Sequence, residues 1–194
     1  VNGAQWKSQH RPECNSRLPR SVDAAYNAAP LRAQRCKLFR FIRFNRKIMD
    51  WYPHITVATV IEDNDRFLLV EEYADNVLVL NQPAGHLEQN ETLIEAARRE
   101  TLEETGWTVE IQGLVGVGLY TAPGNAITYF RTCFFGTALQ HDAERKLDTG
   151  IERAIWLSYA EIIALASRMR SPLVTKVIEQ YLNGHRYPLS SIFS

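Results

Sequence analysis

The chain is poor in cysteine, with Cys14, Cys36 and Cys133 in 194 residues. An odd number with no C-x-x-C spacing excludes a disulfide framework and a thiolate zinc site, and fits reduced thiols in a cytoplasmic protein. The five histidines show no zinc spacing either. No apolar run approaches the roughly 18 residues of a membrane-crossing helix. A G-x-x-x-x-G-K-[ST] phosphate loop and a G-x-S-x-G nucleophile elbow are both missing, which removes two large classes of phosphate and acyl chemistry. The "GVG" at 116–118 is too short a signal for a dinucleotide site and reads as strand glycines.

Net charge is also lacking: 22 basic residues balance 22 acidic ones. That balance hides an asymmetry, because residues 1–48 hold eleven Lys or Arg against Glu13 and Asp23 alone. The segment is rich in Asn, Ser, Ala and Pro, with no sustained apolar period until "KLFRFIRFNRKIM". It reads as a poorly ordered arm ending in a short basic helix, with Leu38, Phe41, Ile42, Ile48 and Met49 on one rough face. A nucleic-acid or membrane tether and an organelle transit peptide both fit such an arm. The favoured expectation is that it is no functional part of the protein. The chain opens on Val1 rather than a methionine, and Met49 sits where a compact domain, residues 49–194, would naturally start.

From Pro53 the texture changes. "HITVATVIE" and "RFLLVEEY" read as strands around the turn "DND", and "NVLVLNQP" as a third strand stopped by Pro83. "AGHLEQNE" reads as a loop entering a helix over about residues 91–105, which Gly106 ends. Strand regions follow at "VEIQGLVGVGLYTA" and "AITYFRTCFFGTAL", split by the turn "PGN", then a short strand "RAIWLS". Two helices close the chain, "YAEIIALASRM" and "PLVTKVIEQYLNG". The expected fold is α/β, a mixed β-sheet sandwiched between α-helices.

The stretch "GHLEQNETLIEAARRETLEETGW", residues 85–107, is the chemical signal. It holds six Glu against the cations Arg98 and Arg99. At ~100° per residue, Glu100, Glu103 and Glu104 share one arc of about 100° with Leu93, Ala96 and Ala97. Ile94, Thr101 and Leu102 occupy the opposite side. A solvated face would not mix acids with those apolar residues, so the helix is expected to be packed on more than one side with its acids turned to a cleft. A surface helix with i,i+4 pairs from Arg99 to Glu95 and Glu103 explains the arginine and not the arc. Clustered carboxylates without His or Cys suit Mg²⁺, with Mn²⁺ as a substitute, and Mg²⁺ completes its shell with water and substrate phosphates.

The same stretch resembles the Nudix box, G-x5-E-x7-R-E-U-x-E-E-x-G-U. Gly85, Glu91, Arg99, Glu100, Glu103, Glu104 and Gly106 fill every fixed position. Thr101 and Trp107 depart at the two variable aliphatic positions, which touches packing rather than metal chemistry. The resemblance implies the Nudix fold and a hydrolase of phosphoanhydride bonds. It implies Glu100, Glu103 and Glu104 as metal ligands, with the Ala84 carbonyl nearby. Arg99 would hold the cluster with Glu91 as its partner; as an alternative to the ligand role, Glu100 or Glu104 would instead serve as base. Asp148 and Glu152 are candidates for a further ligand. "PHITVATVIE", "NQPAGHLE" and "RSPLV...YLNGHRYPL" extend the likeness over roughly residues 51–190, to a branch of phosphatases within the family. That branch implies release of phosphate from nucleoside tri- and diphosphates and from the thiamine precursor hydroxymethylpyrimidine diphosphate.

For the substrate, Tyr120, Tyr129, Phe130 and Trp156 are candidates to stack on a base, and Arg131 to meet a phosphate. Packing or surface roles compete at each. His54 and His86 flank the first strand and the box and could reach the cleft. The expected partners are a small diphosphate or triphosphate, with no nucleic acid or membrane and a monomeric chain. Release of pyrophosphate, and a non-catalytic nucleotide-binding module, are the alternatives. The intact acidic triad argues against the module.

Overall fold

The computed structural model describes residues 51–193. The basic arm, the Met49 boundary, Cys14 and Cys36 lie outside the described residues. Among the described residues, eight strands and three α-helices form the α/β sandwich that the sequence predicts, and no helix is long and apolar enough to cross a membrane.

β1 (His54–Asp63) turns into β2 (Arg66–Ala74) through Asn64 and Asp65, and β2 into β3 (Val77–Asn81) through Asp75 and Asn76. All four turn residues have positive φ, between 49° and 63°. Two consecutive left-handed residues match the right-handed twist of paired strands, and Asn and Asp tolerate that conformation best after Gly. β4 (Ala84–His86) pairs antiparallel with β1. Helix α1 (Leu93–Thr105) leads to the long hairpin β5 (Trp107–Thr121) and β6 (Thr128–His141). β6 returns alongside β1 in parallel, from His54 opposite Tyr129 to Ile61 opposite Gly136. β7 (Ile151–Ser158) pairs with β2, and β8 (Tyr187–Pro188) with β5. α2 (Tyr159–Ala164) and α3 (Leu173–Leu182) close the fold.

β1 carries the two cores on opposite sides. Val57 and Ile61 pack with Ala96 and Ala97 of α1, while Ala58 and Val60 pack with Ile162 of α2 and with Val174, Val177 and Ile178 of α3. Alternate strand residues point to opposite faces, so a strand buried at every position from Thr56 to Ile61 must be covered on both. The Thr101 departure is explained on the α1 side. Its hydroxyl shares a 2.7 Å hydrogen bond with that of Thr59 and donates to the Ala97 carbonyl, so a fully buried polar pair replaces an aliphatic contact. Trp107 stacks on His141 at 4.7 Å and meets Trp156 edge-on at 5.8 Å.

Three expectations need correction. The segment before α1 is not all loop, because Ala84–His86 is a strand held by β1. α1 begins at Leu93, since Thr92 and Glu95 form a reciprocal capping box there and Glu91 is left free to bind Arg99. The helix expected over "YAEIIALASRM" stops at Ala164 and gives way to a 3-10 turn at Ala166–Arg168. Beyond it the backbone is drawn to the edge of β3, where Arg170 N–H donates to the Leu80 carbonyl at 2.8 Å, while Arg168 pairs with the buried Glu71.

Candidate active site

Arg99 is the hub of the acidic cluster. Its Nε and Nη2 clasp both oxygens of Glu91, at 3.0 and 2.7 Å. Nη1 donates to Glu100 at 2.8 Å and to Glu103 at 3.1 Å, and Nη2 also donates to the His86 carbonyl. The hydrogen bonds that Arg99 donates to Glu91 and Glu100 push its pKa further up. The same contacts, with Arg99 as the main cause, hold Glu91 below the usual carboxylate range. The planar fork suits this work, since it binds one carboxylate bidentately and still reaches two others.

Glu100 and Glu104 are the buried members, each 8% exposed. Glu100 lies against the backbone of Gly85, where any Cβ would collide with its carboxylate, so a side chain at the first box position would displace Glu100. Burial raises the Glu100 pKa against the pull of Arg99, and Glu103 and Asp148 add repulsion. Glu104 accepts a 2.8 Å hydrogen bond from Ala84 N–H. Burial pushes its carboxyl up to about 8, helped by the charges of Glu72, Glu100 and Asp148. Asp148 is brought in by its own backbone, which donates to the Glu103 carbonyl at the end of α1. Glu152 is exposed on β7 and forms no ion pair among the described residues.

Carboxylates this desolvated and mutually repelling fit a hard divalent cation, which would supply the missing charge. Among the described residues no three ligating side chains converge closely enough to enclose an ion alone, because Arg99 draws Glu100 and Glu103 toward itself. Mg²⁺ needs only one or two carboxylates when water and substrate oxygens fill the other positions.

A cleft of about 510 Å³ has Ala84, Gly85 and His86 in its wall; the carboxylates of α1 lie behind Ala84 and Gly85 and are not among its lining residues. Strand register lays out its floor. Gly118, Arg131, Thr56 and His86 lie in one cross-strand row, and Tyr120, Tyr129 and His54 in the next. Tyr120, Tyr129 and Arg131 all line the cleft. Arg131 is buried rather than a surface charge, and burial lowers its pKa. Its Nη2 donates to Asn81 at 3.3 Å; Asn81 in turn donates to Glu72, which pairs with Arg170. Trp156 is packed against Trp107, away from this floor, and Phe130 is not among the lining residues.

Of the two histidines, His86 lines the cleft, and His54 stands behind it against His86 and Tyr129. The histidine ring nitrogens lie 3.2 Å apart, and both rings contact Tyr129 edge-on or tilted. Glu72, Asn81 and Arg170 were not foreseen. The signal for them was faint: "EEY" and "NQP" place polar residues at strand ends, and only the β2–β3 pairing turns them toward Arg131.

A family model described as the NUDIX domain matches residues 52–177. Phosphatase NudJ of Escherichia coli strain K12 is 42% identical over 141 residues, covering 72% of this chain and 90% of its own length. A NUDIX hydrolase from Nitrosomonas europaea is 47% identical, with a TM-score of 0.72 over 74% of this chain and 97% of that one. A UDP-X diphosphatase, 19% identical with a TM-score of 0.57 over 73% of this chain and 70% of that one, shares the fold.

Proposed function

Since this chain belongs to the NUDIX hydrolase family, whose members act on phosphoanhydride bonds of small molecules, we propose that it is a Mg²⁺-dependent phosphatase of the NudJ type. The observation that carries this reading is the pair of desolvated carboxylates, Glu100 and Glu104, seated against Gly85 and Ala84, which wall the cleft that Arg131 also lines.

Glu100, Glu103 and Glu104 would hold the cation. Bound there, Mg²⁺ polarises phosphoryl oxygens and acidifies a water for attack. Arg99 positions the ligands and leaves Glu91 to neutralise it. Glu100 or Glu104 serves instead as the base that takes the proton of the attacking water. Arg131 meets a phosphate oxygen from the cleft wall, where its buried charge is little screened. Tyr120 and Tyr129 offer faces to the organic group. Asp148, beside Glu100 and Glu104, is the better candidate for an extra ligand than Glu152. A monomer in the cytoplasm fits this reading.

Recognition through phosphate and metal gives breadth, since every nucleoside di- or triphosphate presents the same anionic end. Stacking on an aromatic ring adds about 0.5–1.5 kcal/mol, which amounts to roughly threefold to tenfold preference among organic groups. Hydroxymethylpyrimidine diphosphate should therefore be hydrolysed alongside common nucleotides. A nucleoside triphosphate should yield the diphosphate and then the monophosphate, with orthophosphate as the inorganic product. Chromatography of both products after brief incubation tests this. Stoichiometric pyrophosphate with direct appearance of monophosphate would identify a MutT-like pyrophosphohydrolase instead.

Residues 49–194 are proposed to form the hydrolase domain without the basic arm. A chain shortened to begin at Met49 should remain soluble and keep its turnover, because the first strand, the acidic helix and the cleft all lie beyond that point. Loss of soluble, active protein on shortening would assign residues 1–48 to the fold.

A further inference from the structure

Arg131 borders two cavities. Besides the cleft it lines a separate space of about 160 Å³ between β5 and α3. Two glycines make that space. Gly116 and Gly118 project toward α3 at alternate positions of β5. A Cβ at Gly116 would first meet Gln180 Oε1 at 3.7 Å, and one at Gly118 would first meet Leu173 at 3.9 Å. The absent side chains leave a void instead of a packed contact between strand and helix.

The lining chemistry is one-sided. Arg131, Lys176 and Gln180 supply the polar side chains, with the Cys133 thiol beside them, and no carboxylate lines the space. The cleft, by contrast, contains Glu72 and Asp75. Arg131 also has unused capacity. It is 8% exposed, its Nη2 makes a long 3.3 Å bond to Asn81, and its Nε is buried without a partner among the described residues. A buried guanidinium with an empty donor is costly unless an acceptor reaches it. Glu72 does not serve, being committed to Asn81 and Arg170.

We propose that the space between β5 and α3 is an accessory site for a single tetrahedral oxyanion of the phosphate class, held by Arg131 from within and Lys176 from the rim. The volume suits this ligand. At ~30 Å³ per water it holds about five waters, enough for a partly hydrated oxyanion and too little for a nucleoside. Gln180 supplies an uncharged amide donor. Filling the site fixes Arg131 on its cavity side, so occupancy is communicated to the cleft through this side chain, which with Leu173 lines both spaces. Two sources supply such an anion: free orthophosphate, and a phosphate of the substrate itself reaching past Arg131.

The test titrates the metal-free protein in chelator with inorganic phosphate, comparing the natural chain with Lys176→Gln and Gly116→Ala. Lys176 is exposed and Gly116 has room for a methyl group, so both variants should fold. Lys176→Gln should weaken phosphate binding about tenfold, the loss of roughly one charge-assisted contact, and Gly116→Ala should weaken it by taking up part of the space, each with kcat unchanged. Steady-state kinetics in Mg²⁺ then separate the sources. An unchanged KM with loss of the noncompetitive part of phosphate inhibition identifies free anion; a KM for nucleoside diphosphate raised in proportion identifies the substrate's own phosphate. Phosphate titrations of both variants that superimpose on the natural chain would overturn the site.

Discussion

Glu103→Gln and Glu104→Gln will each lower kcat by about a thousandfold, the equivalent of several kcal/mol of lost charge stabilisation at ~1.4 kcal/mol per tenfold. The amide keeps the shape of the carboxyl and removes the charge that a divalent cation needs. Glu104→Gln will also keep its fold, because the amide oxygen still accepts from Ala84 N–H and a neutral group replaces a buried acid. Excess chelator will reduce the natural chain to the same residual rate. Turnover measured with a nucleoside diphosphate, alongside thermal unfolding of each variant, checks both halves. Full activity in excess chelator would sink the mechanism.

The stability of the metal-free protein will fall as pH rises from about 5 to 9. Glu104 has a folded pKa of about 8, above its unfolded value of 4.5. A group raised in this way favours the fold when protonated. Its contribution is complete below the unfolded value and is lost as pH rises through the folded one. The loss from Glu104 is on the order of 4 kcal/mol, and Glu100 is raised in the same direction. Glu71 works oppositely. Hydrogen bonds from Arg153 and Arg168 lower its pKa, so its contribution is present above its unfolded value of 4.5 and is lost in acid. The stability optimum in chelator should therefore lie near pH 5. Denaturant unfolding at several pH values gives the slope, which Glu104→Gln should largely abolish and added Mg²⁺ should flatten. An unchanged slope in Glu104→Gln would show that this carboxyl is not the proton-binding group.

The acidic cluster was legible in the sequence because it is local. Glu91, Arg99, Glu100, Glu103 and Glu104 are spaced by one loop and one helix, so helical geometry alone sets their common side. The hairpins were legible for the same reason, the first two being marked by Asn and Asp at their turns and the third by Pro123, Gly124 and Asn125. What could not be read depends on pairing across distance. β4 has three residues, and no local pattern separates it from a loop until β1 lies beside it. His54 and His86 are 32 residues apart and meet because His86 pairs opposite Thr56 in the β1–β4 register. Arg131 sits among strand aromatics, where alternation gives a side of the sheet but not its depth. Its burial follows from the covering α3 and from Asn81 at the end of β3. The early end of α2 has a similar cause, since the pull of Leu80 and Glu71 on the following residues acts from another sheet edge.

The parallel pairing of β1 with β6 has a kinetic meaning. Its two strands are separated by the whole of the acidic helix and the β5 hairpin arm, so their union closes a loop of about 70 residues, a slow and entropically costly event. The hairpins on either side can form locally and early. Arg131 takes its place between Thr56 and Gly118 only when β6 has docked. The catalytic helix can thus be complete in a chain whose substrate cleft does not yet exist. During refolding, recovery of helical signal should precede recovery of turnover, and the interval between them times the docking of that one strand.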